Sequence, residues 1–188
     1  MTGKLYIVAT PIGNLSDISI RAVDILKNVD LVLAEDTRHS KKLFSHYEID
    51  TPLKAFHEHN EKKKTEKIID EIAAGKSIAM ISDAGTPLIS DPGYHLVSKA
   101  KKVSLDVVPI PGPSALITAL SSSGLASNSF TFFGFLPSKH VARLKFLQTK
   151  INLDETIIFY ESPKRILSTL KDMLGVFGDS REACLAKE

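Results

Sequence analysis

Ionisable side chains crowd into two short segments, Glu35-Asp36-Thr37-Arg38-His39 and His57-Glu58-His59-Asn60. A carboxylate or imidazole so placed can accept a proton from a weakly acidic hydroxyl, and an arginine fork beside it suits a phosphate. Glu35 and Asp36 are therefore the candidate bases and Arg38 the candidate phosphate contact, with a purely structural Glu35–Arg38 ion pair as the competing reading. His57 and Asn60 are candidate substrate contacts in the polar wall of a cleft. The His57-x-His59 spacing invites a metal, but an extended backbone sends the two rings to opposite sides and no cysteine lies nearby. No metal is expected.

Two further segments are rich in turn-forming residues. Ser82-Asp83-Ala84-Gly85-Thr86-Pro87-Leu88-Ile89-Ser90-Asp91-Pro92-Gly93 reads as a stiff loop presenting backbone N–H groups and carboxylates. Asp83 is the better placed for a ligand, whereas Asp91 is expected to start the following helix. Pro109-Ile110-Pro111-Gly112-Pro113-Ser114-Ala115 is either a rigid hinge or a hinge that touches a ligand. Two nucleotide motifs are excluded. Ala9-Thr10-Pro11-Ile12-Gly13-Asn14 has only one glycine of a dinucleotide turn, and Gly75-Lys76-Ser77 precedes a strand and has Asp70 where a P-loop needs its first glycine.

The elements that position these segments alternate in type. Apolar runs at Lys4–Ala9, Leu31–Ala34, Leu53–Phe56, Ser77–Ile81 and Leu105–Ile110 read as strands. Helical periodicity lies between them, at Ile20–Val29, Arg38–Tyr47, Glu61–Ala74 and Tyr94–Lys102, with Ser16 or Ser19 capping the first helix. This order predicts βαβ crossovers and a mainly parallel five-stranded sheet with helices on both faces, whose ligands bind beyond the carboxyl ends of the strands. A second α/β unit follows: a helix at Ser114–Ser122, a strand at Phe130–Phe135, a helix at Val141–Lys150, a strand at Thr156–Tyr160, a helix at Lys164–Leu174 and a last strand at Arg181–Lys187. The expected division is 1–112 and 113–188.

Composition narrows the class. The 188 residues carry a net charge of +2, too little to argue for nucleic acid by itself. One cysteine, Cys184, excludes an internal disulfide, a zinc ribbon and an iron–sulfur cage. No apolar run approaches the ~20 residues of a membrane span, and Met1-Thr2-Gly3-Lys4 leads straight into a strand, so neither membrane nor secretory leader is expected. A cytoplasmic protein is the economical expectation.

Seven segments in order, VATPIGNLSDIS, AEDTRHS, FHEHN, ISDAGTPLISDPG, VPIPGPSA, FFGFLP and IFYESPKRI, resemble the ribosomal RNA small-subunit methyltransferase I family, of the tetrapyrrole-methylase-like class. The resemblance covers essentially the whole chain. It implies 2′-O-methylation of a cytidine ribose in the decoding region of 16S rRNA within the small ribosomal subunit, with S-adenosylmethionine as cofactor, by a homodimer with the cofactor in an interdomain cleft. It further implies cofactor contacts from Pro11, Ile12, Asp83, Gly85, Thr86, Ile89, Ser114, Ala115, Phe159 and Tyr160. Thr86 stands where many tetrapyrrole methylases have aspartate, so no aspartate role passes to it. Other readings are the same chemistry on a tetrapyrrole precursor and a non-catalytic RNA-binding relative.

RNA needs cationic surface. Lys62-Lys63-Lys64 is flanked by Glu61 and Glu66 and reads as a solvated helix face, whereas Lys139, His140, Arg143, Lys145 and Lys150 offer a better patch, with Lys139 and Arg143 as candidate substrate contacts. The first domain is expected to be complete and the second truncated, leaving Cys184 on an unpaired edge strand.

Overall fold

Buried strands form where aliphatic residues run unbroken, because both faces of a parallel sheet are covered. The computed structural model describes residues 2–187 and divides into two compact units, 1–115 and 116–188. In the first unit β1 (Lys4–Val8), β2 (Leu31–Ala34), β3 (Leu53–Ala55), β4 (Ile78–Ile81) and β5 (Asp106–Ile110) make one sheet of order β3-β2-β4-β1-β5. All its pairings are parallel, with Leu5 opposite both Ile78 and Val107.

Side-chain alternation assigns the faces. Val8, Val32, Ala34, Ala79 and Ile81 pack with Leu26 of α1 (Ile20–Asn28) and with Leu43 and Phe44 of α2 (Thr37–His46). Their sequence neighbours Leu5, Leu33, Ile78 and Met80 face Ile68 and Ile72 of α3 (Glu58–Ala73) and Leu96 and Ala100 of α4 (Tyr94–Lys102). The chain leaves β1 toward β2 on one side and leaves β4 over β1 toward β5 on the other. The adjacent ends of β1 and β4 are thus a topological switch point, where open α/β sheets form their ligand crevice.

The helix starts sharpen several sequence expectations. Ser19, not Ser16, caps α1, its hydroxyl accepting from the Ala22 amide at 3.1 Å. α3 begins at Glu58 instead of Glu61, so His59 lies in a first helical turn and its ring meets that of His57 edge-on at 5.9 Å. Asp91 does not cap α4. The cap position is Gly93, and the buried Glu61 of α3 supplies the carboxylate instead.

The second unit holds most of α5 (Ala115–Ser122), then β6 (Phe130–Phe135), α6 (His140–Gln148), β7 (Thr156–Tyr160) and α7 (Ile166–Phe177). β6 and β7 pair in parallel, with a register shift between Phe132 and Phe135 where Gly134 takes φ +66°. The strand expected at 181–187 is not formed. Alternation makes a strand only when a neighbour accepts its ladder, and this segment is instead tied by the Arg181 guanidinium, which donates to the carbonyls of Leu153 at 2.9 Å and Glu155 at 3.3 Å. Cys184 is exposed, but on no strand edge.

Candidate active site

The loops after β1 and β4 are stitched together. Thr10 and Gly85 exchange backbone hydrogen bonds of 2.9 and 3.0 Å. The Thr10 hydroxyl donates to the Ser82 carbonyl, and the Ser82 hydroxyl donates to the Gly85 carbonyl. Gly85 has φ +87°, where a side chain is strained, and a Cβ there would stand 3.3 Å from Ile12 Cγ2. Leu88 and Ser90 also adopt positive φ, at 72° and 67°. Such strain in non-glycine residues persists only where surroundings over-determine it, and it clusters at binding loops.

Beside this stitch lies a depression of about 360 Å³, walled by the β1 loop from Thr10 to Leu15, the β4 end from Ile81 to Ala84, and His39, Ser40, Lys42 and Leu43 of α2. Pro11, Ile12 and Asp83 therefore meet at one place. Thr86 is turned to another partner, its hydroxyl donating to the Pro113 carbonyl at 3.1 Å. Ile89 is 39% exposed, while Ser114 and Ala115 are half-buried where α5 begins.

The candidate bases separate cleanly. Asp36 caps α2 through the Arg38 amide and also holds the Arg38 guanidinium by two hydrogen bonds, of 3.1 and 2.7 Å. Those Arg38 bonds keep its carboxyl well below the usual range, so it is a poor proton acceptor. The ion pair is thus Asp36–Arg38, and the Glu35–Arg38 pair is not made. Glu35 moves the other way, raised first by burial and then by Asp83, with His57 opposing. Asp91, raised to about 6 by burial, then Glu35 and Asp83, completes a group of carboxylates around the strand ends.

His57 and Asn60 bond each other at the start of α3. Asn60 Oδ1 accepts from the His57 amide at 3.1 Å, which leaves its NH₂ to donate to His57 Nε2 at 2.7 Å. The neutral ring then carries its proton on Nδ1, which is buried and has no hydrogen-bond partner among the described residues.

In the second unit, Phe159 stacks on Phe133 at 5.8 Å and Tyr160 meets Phe132 edge-on at 4.7 Å. The basic patch expected on α6 is largely committed. Arg143 is buried and donates to Asp172 at 2.6 and 2.7 Å, which corrects its reading as a substrate contact. His140 pairs with the same carboxylate, and Lys150 Nζ sits 4.4 Å above the Phe133 ring. Lys139 and Lys145 remain exposed.

Glu61 is the residue that sequence reasoning missed. It adjoins the lysine run in sequence, yet it shares the i, i+4, i+7, i+11 face with Thr65, Ile68 and Ile72, all buried. That period was the available signal.

This fold, with its crevice at a switch point and a second α/β unit, has known counterparts. A diphthine synthase structure aligns over 92% of this chain and 71% of its own at 14% identity, with a TM-score of 0.71. A uroporphyrin-III C-methyl transferase from Thermus thermophilus complexed with S-adenyl homocysteine aligns over 96% of this chain and 78% of its own at 17% identity, with a TM-score of 0.64. At these identities the likeness speaks for the fold. The family model for Tetrapyrrole (Corrin/Porphyrin) Methylases matches residues 4–188.

Sequence relatives are more specific. Proteins named ribosomal RNA small subunit methyltransferase I are 55% identical over 98% of this chain in Vibrio cholerae, covering 64% of that relative, and 54% identical over the whole chain in Haemophilus influenzae, covering 66%. One from Pasteurella multocida is 54% identical, with 67% of it covered. The chain belongs to the tetrapyrrole methylase family and, within it, to the group named ribosomal RNA small subunit methyltransferase I. It spans about two thirds of the length of these curated relatives, 64% and 66% of the two named first.

Proposed function

We propose that this chain carries the catalytic and cofactor-binding face of an S-adenosylmethionine-dependent methyltransferase. Its substrate is the 2′-hydroxyl of a cytidine ribose in the decoding region of 16S rRNA, within the small ribosomal subunit. It works as a homodimer in the cytoplasm. The observation that supports this most is identity of 54–55% with ribosomal RNA methyltransferases over nearly every residue of the chain.

The loop chemistry fits the cofactor. Gly85 leaves open space next to Ile12 where a side chain would otherwise stand, in a conformation disfavoured for side chains, and an adenosyl group packs through apolar faces. Within the first unit, Pro11, Ile12, Asp83, Gly85, Thr86, Ile89, Ser114 and Ala115 are the residues that would hold it. The cofactor supplies an electrophilic methyl group on a sulfonium.

The remaining work falls to side chains. The ribose oxygen gains the methyl and must lose its proton, and Glu35 is the acceptor, because burial raises its basicity. Asp36 is a positioning residue that fixes the Arg38 guanidinium, which in turn faces phosphate. His57 and Asn60 shape the adjoining wall.

The test is transfer of a labelled methyl to small subunits from cells lacking the modification, with the nucleotide mapped, run beside a uroporphyrinogen-type substrate. Label at a cytidine ribose is expected. Glu35→Gln lowers turnover by about 10²-fold or more with cofactor affinity unchanged. Label only in the tetrapyrrole, or in neither substrate, overturns the reading.

A further inference from the structure

We propose that the depression between the β1 and β4 loops seats the target base after it is turned out of the RNA, and that Asp83 selects cytosine over uracil there. This rests on the methyltransferase reading above and extends it to the recognition of the base.

A base taken out of its stack needs a slot with apolar walls for its faces and a small number of polar atoms for its edge. The depression, at about 360 Å³, lies at the small end of ligand pockets and suits one nucleoside. Ile12 and Leu15 contribute apolar surface, Ile12 being shared with the cofactor, and the buried Leu43 and Ile81 lie behind them.

The polar lining is mostly spoken for. The Thr10 hydroxyl is bonded to Ser82, the Ser82 hydroxyl to Gly85, and the Ser40 hydroxyl to the Asp36 carbonyl at 3.1 Å. Asp83 differs. Its Oδ1 accepts from the Asp36 amide at 3.1 Å, which fixes the carboxylate, while among the described residues no donor bonds its Oδ2. A carboxylate only accepts, so it favours the amino group that cytosine carries at N4 and disfavours the carbonyl that uracil carries at O4.

The rim matches the rest of a nucleotide. Lys42 and His39 line the same depression from α2 and are exposed, placed for the phosphate of the turned-out residue. Asp83 is also among the charges that act on Glu35. The base-reading carboxylate and the ribose-proton acceptor therefore share one end of the sheet, as a single nucleotide spanning both requires.

Two measurements test the proposal. The first compares methyl transfer to small subunits carrying cytidine or uridine at the mapped position, by the unsubstituted protein and by Asp83→Asn. Asparagine keeps an oxygen for the Asp36 amide and adds a donor for a carbonyl. The cytidine preference should fall about tenfold or more, and an unchanged preference overturns the proposal. The second adds CMP or UMP to the ¹⁵N-labelled chain and follows amide shifts. CMP should move Ser82–Ala84 and His39–Leu43 more strongly than UMP. Equal shifts, or shifts elsewhere, overturn it. If the unsubstituted protein methylates neither RNA, the methyltransferase reading has failed, and the nucleotide shifts alone decide whether the pocket reads cytosine.

Discussion

Glu61 caps a helix that is not its own. Its Oε1, projecting from α3, accepts hydrogen bonds from the amide of His95 at 2.7 Å and from those of Gly93 at 3.2 Å and Leu96 at 3.4 Å, at the start of α4. Burying a carboxylate is costly unless donors surround it, and the first turn of a helix provides such donors along with a favourable dipole. The loop that carries Asp83 through Asp91 is thereby pinned at its far end to the helix that carries His57 and Asn60. Glu61→Ala should lower stability by about 2 kcal/mol or more, read as a lower urea midpoint. Glu61→Gln, which keeps one acceptor, should recover part of that loss.

Gly85→Ala places a Cβ at φ +87° and within 3.3 Å of Ile12 Cγ2. The backbone strain alone costs about 1–2 kcal/mol, and relief requires the Thr10–Gly85 bridge to shift. Calorimetric affinity for S-adenosylmethionine should drop about tenfold, while far-UV circular dichroism stays unchanged. Undiminished affinity would place the cofactor away from these loops.

Asp91 gives the fold a pH dependence. Its folded value of about 6 lies above the roughly 4 of an unfolded aspartate. Between those values the folded state holds a proton that the unfolded chain releases, so stability falls as pH rises from about 4 to 6. Glu35, raised in the same direction, adds to the slope. Asp91→Asn should flatten the melting temperature against pH and raise it at pH 7. A steeper profile in the variant would contradict the assignment.

Arg143 and Lys139 separate structure from RNA contact. Arg143→Ala strands the buried Asp172 carboxylate, which burial would raise but which the Arg143 and His140 hydrogen bonds hold low. Stability should fall by about 2 kcal/mol or more, with the salt dependence of RNA binding unchanged. Lys139→Ala should leave stability alone and reduce the slope of log K against log salt by about 1.

Much of this was legible in the residues. Short apolar runs marked the strands of the first sheet, even where Lys54 interrupts β3 and Pro109 lies in β5, and the turn-rich loops after β1 and β4 did lie at one end of it. What eluded the sequence depended on partners distant in the chain. Asp36 and Glu35 are adjacent and alike, and only the fold shows that one is consumed by Arg38 while the other faces Asp83. Arg143 read as a surface cation because nothing in its own helix announces Asp172. The alternation at 181–187 has the period of a strand, but a ladder needs a neighbour as well as a pattern.

The strand order bears on the protein's birth as well as its ligand. β1 is made before the other strands of its sheet, yet its neighbours there are β4 and β5, and its earliest partner residue is Ile78. At translation rates of about 5–20 residues per second, it waits on the order of several seconds before pairing begins. Throughout that interval Leu5, Ile7 and Val8 have no sheet to join. The sequence that will shape the crevice is the one most dependent on shelter while the chain emerges.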